Sequence, residues 1–286
     1  MDRRIYDRRA AQYISKNEKE GSIMPAAVEL RHISKSYDQD AVLEDFNLTV
    51  PRGEFVTMIG SSGCGKTTVL KMINGLIEPD GGEILLDGES VRGKDMTKLR
   101  RNIGYAIQGS VLFPHMTVEE NISYVPSLLN KKDRKKTKQA VDKWMDIVGL
   151  SPDLKERYPD ELSGGQQQRV GIARALAASP ELLLMDEPFG AVDEITRGQL
   201  QDELRRIYEK TGITVLFVTH DISEALKLGT KVLVMDAGEI IQYDTPEMIL
   251  EHPASPFVER LIEKERGVQK KMDEERIHHP VILSQL

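Results

Sequence analysis

The sequence predicts an α/β protein whose sheet is mostly parallel and covered by helices on both faces. Three observations carry that prediction. Short apolar runs at 54–59, 182–185 and 213–218 lack the alternation of a half-exposed strand, as buried parallel strands do. Helical periodicity returns between those runs. Lys66, Asp186 and His220 stand just past the runs' C-terminal ends, where open α/β sheets place ligands.

Residues 1–24 are polar and without a clean period, which predicts a disordered extension; Arg3, Arg4, Arg8 and Arg9 give it a basic patch. From Val28 the pattern turns to strands, first 28–33 and then 48–50, with Tyr37 on the connection between them. Glu54–Ile59 leads into Gly60-Ser61-Ser62-Gly63-Cys64-Gly65-Lys66-Thr67-Thr68, and 69–73 continues as a helix. Asp80-Gly81-Gly82 turns into a strand at 83–86, and 103–107 is a short strand ending at Gln108. Thr117 with Glu120 forms a capping box that opens a helical stretch over 121–160. Its basic run, Lys131 to Lys138, reads as a solvated helix face, and Trp144, Met145, Ile147 and Val148 as core. A helix follows Ser163-Gly164-Gly165-Gln166, a strand ends at Asp186-Glu187, and another ends at Thr219-His220. Asp221 with Glu224 predicts a second capping box, 232–241 a hairpin, and Thr245-Pro246 a helix start. The last thirty-odd residues form a charged tail.

Composition narrows the class. A hydrophobic fraction of 40% with 30% charge describes an ordinary globular chain, and 286 residues allow one large domain or two small ones. The net charge of −7 argues against general nucleic-acid binding. The single cysteine, Cys64, rules out an internal disulfide. No apolar run reaches the roughly 18 residues of a membrane span, and the N-terminus lacks a secretory signal.

The stretch Gly60–Thr67 fits the phosphate-binding pattern G-x-x-x-x-G-K-[ST] in its required strand–loop–helix context. Its glycines let backbone N–H groups turn inward on a phosphate chain at a helix N-terminus. Lys66 has the reach for β- and γ-phosphates, and the Thr67 hydroxyl is a Mg²⁺ ligand candidate. Asp186 is a second candidate ligand, and Glu187 a candidate base for an attacking water. His220 could bond a γ-phosphate, Gln108 could ligate Mg²⁺ or orient water, and Tyr37 could stack on an adenine. Taken singly, those three are equally a strand-end histidine, a polar terminus and a half-buried aromatic. Ser163–Gln166 offers a hydroxyl and bare N–H groups at a helix start, a second anion site. One phosphate loop with two phosphate-grade sites predicts a dimer in which each copy closes on the other's nucleotide. Cys64 lies beside Lys66, so thiol alkylation is expected to block ATP binding; otherwise Cys64 simply fills a free loop position.

Over about residues 26–250 this set resembles the ATP-binding cassette (ABC) ATPases. The adenine-stacking aromatic would be Tyr37, Walker A Gly60–Thr67, the Q-loop glutamine Gln108 and the signature Leu162–Gln166. Walker B would end at Asp186 with catalytic Glu187, the D-loop would be 190–193 with Asp193, and the switch histidine His220. The resemblance implies a P-loop NTPase fold with an antiparallel β subdomain and a helical subdomain at about 109–178. The ATPase domain would span 25–252 and a tail 253–286. It also implies ATP and Mg²⁺ as ligands, a head-to-tail homodimer, and two transmembrane permease subunits at the cytoplasmic face of the membrane.

A finer resemblance rests on 104–108, 112–117, 125–129 and 186–197, which look like the osmoprotectant uptake group. That group imports glycine betaine, carnitine, choline or proline, and implies a substrate-binding protein as an indirect partner. The alternatives are another solute, an exporter, or a soluble ABC ATPase of DNA repair or translation. Two departures stand out: Glu194 where proline is expected, and no room after the tail for the CBS domains many members carry.

Overall fold

The computed structural model describes residues 26–106, 112–130, 133–190 and 193–263. The basic N-terminal patch, Gln108, Lys131 and Lys132, the middle of 190–193, and the chain after 263 lie outside the described residues.

Two sheets form. Strands β1 (Val28–Tyr37), β2 (Asp40–Val50), β4 (Gly81–Leu86) and β5 (Glu89–Ser90) make an antiparallel sheet in the order β2-β1-β4-β5. Tyr37 is the last residue of β1, paired with Asp40, rather than part of a longer connection. Asp38 takes φ 54° and allows the turn to close in two residues.

The second sheet has the order β10-β9-β3-β8-β7-β6. Its strands are β3 (Phe55–Gly60), β6 (Ile103–Ala106), β7 (Leu182–Asp186), β8 (Thr214–Val218), β9 (Lys231–Asp236) and β10 (Glu239–Asp244). All neighbours are parallel except the β9–β10 hairpin at one edge. Alternate residues of the central strands feed different cores, which is why these strands read as unbroken apolar runs. Phe55, Leu183, Met185, Val215 and Phe217 pack toward the helices of 118–211. Met58, Leu184, Leu216 and Val218 pack with the antiparallel sheet and with helix α1 (Lys66–Ile73).

Helix α2 (Met96–Arg101) follows β5. The stretch read as one helical run from 121 to 160 is broken. It holds α3 (Val118–Asn130), α4 (Arg134–Ile147) and two short 3₁₀ turns at Pro152–Leu154 and Pro159–Glu161. Asp133 caps α4 by accepting from the Lys136 N–H at 2.9 Å. After Ile147 the chain turns through Gly149 at φ 67°, and the Leu150 N–H returns to Met145 O at 2.8 Å. Trp144, Met145 and Val148 are core, as their spacing predicts, and Ile147 packs at its margin. Asn121 is fully buried and was not singled out by its sequence. Its side chain bonds the backbone of Phe113, Met116 and Thr117, fixing the chain ahead of α3.

Helix α5 (Gly164–Leu176), α6 (Glu194–Thr211), α7 (Ile222–Leu228) and α8 (Pro246–Glu251) complete the layers. Residues 256–263 form one more helix, whose Val258 and Ile262 join Ile59, Val232 and Val234 in a third core.

Candidate active site

Sheet register assembles the site. Met58, Val218 and Asp186 stand in one row across β3, β8 and β7. The three chain segments leaving that row therefore emerge together: the loop from Gly60, Thr219-His220, and Glu187.

Gly60 cannot be replaced without rearrangement. It adopts φ 149°, and a Cβ there would lie 1.9 Å from the Met235 carbonyl oxygen on β9. The loop is tied to that strand again by Ser61, whose hydroxyl donates to Asp236 Oδ1 at 2.6 Å. Gly65, at φ 101°, precedes α1 and packs under Leu43 of β2. This contact seats the end of the β1–β2 hairpin, which carries Tyr37, over the loop. Tyr37 is 45% exposed, with Lys35 Nζ 5.6 Å from its ring centroid.

Lys66 is buried at the start of α1. Its ammonium donates to the carbonyls of Gly60 at 3.0 Å and Ser61 at 2.7 Å. A buried ammonium held by neutral loop acceptors is poised to exchange them for stronger anionic ones. Cys64 Sγ lies 3.5 Å from the same ammonium and is itself buried in the second core. Burial shields this thiol from alkylating reagents, so the structure favours the reading of Cys64 as a loop-filling residue over a labelling site.

The Thr67 hydroxyl donates to Asp186 Oδ1 at 3.0 Å. Burial raises the Asp186 carboxyl above the usual range, with the Glu187 charge acting the same way. The Thr67 bond and the nearby Lys71 and Lys66 charges oppose the rise without cancelling it. The Thr67 hydroxyl and the Asp186 carboxylate are hard oxygens from separate elements and suit Mg²⁺ in their donor chemistry. Tyr105 on β6 adds a detail not anticipated. Its hydroxyl is buried without a hydrogen-bond partner among the described residues. Burial and then the Asp186 charge push that phenol up to about 12.

Glu187 occupies the left-handed region at φ 44°, which costs an L-residue about 1–2 kcal/mol. Its N–H bonds Val218 O at 3.0 Å, and its carbonyl accepts from Gly190 N–H at 3.2 Å, so the turn is pinned on both sides. That backbone carries Glu187 Oε2 to 3.2 Å from His220 Nδ1. His220 is largely exposed, while Glu187 is more than half covered.

Ser163 caps α5: its hydroxyl accepts from the Gln166 N–H at 3.3 Å, and Gln166 Oε1 accepts from the Ser163 N–H at 2.9 Å. Ser163 and Gly164 face solvent, bonded within their own turn rather than to the phosphate loop. Gly165 is required by a close approach, since a Cβ would sit 2.6 Å from Thr196 Cγ2. Thr196 belongs to the first turn of α6, which Asp193 caps by accepting its N–H at 3.0 Å. That bond holds the Asp193 carboxyl below its ordinary value. The structure thus brings Gly60–Thr68, Asp186, Glu187 and His220 together and sets Ser163–Gln166 beside Asp193 in a separate cluster.

A family profile described as ABC transporter matches residues 43–190. The glycine betaine/carnitine/choline transport ATP-binding protein OpuCA of Bacillus subtilis (strain 168) is 49% identical over 251 residues. The match takes in 87% of this chain and 66% of OpuCA, so the chain spans just under two thirds of that relative. The glycine betaine uptake system ATP-binding protein YehX of Escherichia coli (strain K12) is 49% identical over 243 residues, 85% of this chain and 79% of YehX. Among solved structures, the dimeric ATP-binding cassette MJ0796 bound to ADP and Pi superposes with a TM-score of 0.69 at 33% identity. It covers 77% of this chain and 98% of MJ0796.

Proposed function

Because the chain belongs to the ABC transporter ATP-binding family, we propose that it is the ATP-hydrolysing subunit of an importer for an osmoprotectant. The solute class is glycine betaine, carnitine, choline or proline, in line with the 49% identity to OpuCA and YehX. The observation that carries the catalytic part is the row of β3, β8 and β7, which sets the Thr67–Asp186 pair and the Glu187–His220 pair at one sheet edge.

Each residue then has a task. Lys66 leaves the carbonyls of Gly60 and Ser61 for the β- and γ-phosphate oxygens of ATP. The exposed Tyr37 ring stacks on the adenine. Thr67, Asp186 and Gln108 would hold Mg²⁺, which would supply positive charge to neutralise the phosphate oxygens. Glu187 accepts the proton of the attacking water, and His220 orients that carboxylate and bonds the γ-phosphate. Ser163–Gln166, exposed at Ser163 and Gly164, close over the phosphates bound to the other copy, with Asp193 at the same seam. Ile195, an apolar side chain 78% exposed beside Asp193, fits a surface that a second copy covers.

Among the described residues no helix is long and apolar enough to cross a membrane. In this reading the protein works as a peripheral subunit on the cytoplasmic face, docked on two permease subunits that a substrate-binding protein supplies, in line with its likeness to transport ATP-binding proteins. Two measurements test this. The purified chain should hydrolyse ATP only with Mg²⁺ present. Disrupting its gene should abolish uptake of labelled glycine betaine, carnitine, choline and proline as a set or singly. Wild-type uptake of all four in the disrupted strain would refute the solute class; absence of Mg²⁺-dependent hydrolysis, alone and with permease, would refute the ATPase.

A further inference from the structure

Glu224 lies in the first turn of α7, yet it does not complete the capping box its spacing predicts. Asp221 alone caps that helix, accepting from Ser223 and Glu224 N–H groups at 2.9 and 3.3 Å. The Glu224 side chain is only 5% exposed and turns inward. Gln201 of α6, also buried, donates to Glu224 Oε1 at 3.0 Å. The Gln201 carbonyl oxygen accepts from Lys227 Nζ at 3.1 Å, so both ends of its amide are used. Lys227 also pairs with Asp202 Oδ1 at 2.8 Å, and Arg205 donates to the Lys227 carbonyl at 2.5 Å. The Thr219 hydroxyl oxygen accepts the Asp221 N–H at 3.0 Å, tying the strand end to the cap of this helix.

Glu224 therefore joins α6 to the capped turn that follows His220 without touching the reacting atoms. Thr219 immediately precedes His220. Helix α6 begins at Asp193 and packs its first turn on Gly165. A buried carboxyl costs several kcal/mol unless its bonds are all made, so a retained one marks a geometry held closely.

We propose that Glu224, with Gln201, is a positioning residue for ATP hydrolysis: it locks α6 to the Thr219-His220 turn and so fixes His220 against Glu187. The proposal rests on the ATPase reading above. Removing the clamp leaves the phosphate loop, Lys66 and Tyr37 untouched, so nucleotide binding is preserved and only the hydrolytic step is misaligned.

The test compares Glu224→Ala, Glu224→Gln and Gln201→Leu in the full chain. Mg²⁺-dependent kcat and KM for ATP and the thermal unfolding midpoint are measured for each. Misplacement of catalytic groups by about 1 Å costs up to about 100-fold, so Glu224→Ala should lose about 10- to 100-fold in kcat with KM within about twofold. Glu224→Gln, which keeps an oxygen to accept from Gln201, should recover kcat, and Glu224→Ala with Gln201→Leu should lose no more than either alone. A wild-type kcat in Glu224→Ala would overturn the proposal, as would a Glu224→Gln as slow as Glu224→Ala. Equal losses in kcat and ATP binding that track a lowered midpoint would also overturn it, since they mark simple destabilisation. An inactive wild-type chain would instead refute the ATPase reading itself.

Discussion

The 3.2 Å contact between Glu187 and His220 is where sequence motif and backbone geometry meet. Glu187→Gln keeps the shape and removes the base, so ATP turnover should fall by about 10²–10⁴-fold while ATP binding persists. Single-turnover kinetics beside equilibrium nucleotide binding will separate the two. Gly60→Ala should be lost to instability, on the order of 3 kcal/mol, because its Cβ meets Met235 O and its φ of 149° is unsuited to alanine. Chemical denaturation measures that cost. Burial raises the Glu224 carboxyl above its ordinary 4.5, against bonds from Thr219 and Gln201 and the Arg197 charge, with Asp221 adding to the rise. The folded state thus keeps a proton that the unfolded chain releases. Its stabilising effect is complete below 4.5 and is lost as pH rises through the raised value. Glu224→Gln removes this loss, so its unfolding midpoint relative to the native chain should climb as pH is raised, as a series of melts will show. At this scale the sequence announces Lys66, Thr67, Asp186 and Glu187, since fixed spacing encodes their chemistry. It is silent on Tyr105, on the inward turn of Glu224 and on the left-handed Glu187, which come from contacts 23 or more residues apart or from a dihedral angle.

Elements place those residues, and their boundaries depend on particular caps. Asn121 illustrates the point. Four bonds from one buried amide hold Phe113 to Thr117 in place, so Asn121→Ala should destabilise the chain on the order of 2 kcal/mol and loosen that segment to proteolysis. A protection difference at 113–117 in hydrogen exchange would report it directly. The strands 54–59, 182–185 and 213–218 are legible from composition because both sheet faces are covered. The long helical reading of 121–160 fails because periodicity continues through the breaks. Only Asp133, Gly149 and Ser151-Pro152 mark where α4 starts and stops. Glu224 misleads in the same way: its spacing from Asp221 satisfies a capping box, but a better partner, Gln201, waits across the helix interface.

At the scale of the whole molecule, the order β10-β9-β3-β8-β7-β6 interposes β8 between the phosphate-loop strand and the strand of Asp186. No local pattern in the chain specifies that order; it follows from how the helices can cover both faces. The same architecture leaves Ser163–Gln166 turned outward with its bonds made internally, away from the loop it is proposed to complete. The central claim is accordingly that the hydrolytic site is shared between two copies. Sedimentation of Glu187→Gln with and without ATP tests it most directly, beside the same variant carrying Ser163→Arg. A monomer that becomes a dimer on ATP addition, and fails to do so with Ser163→Arg although ATP still binds, is the predicted result. An ATP-bound Glu187→Gln that stays monomeric, or a dimer indifferent to Ser163→Arg, would contradict it.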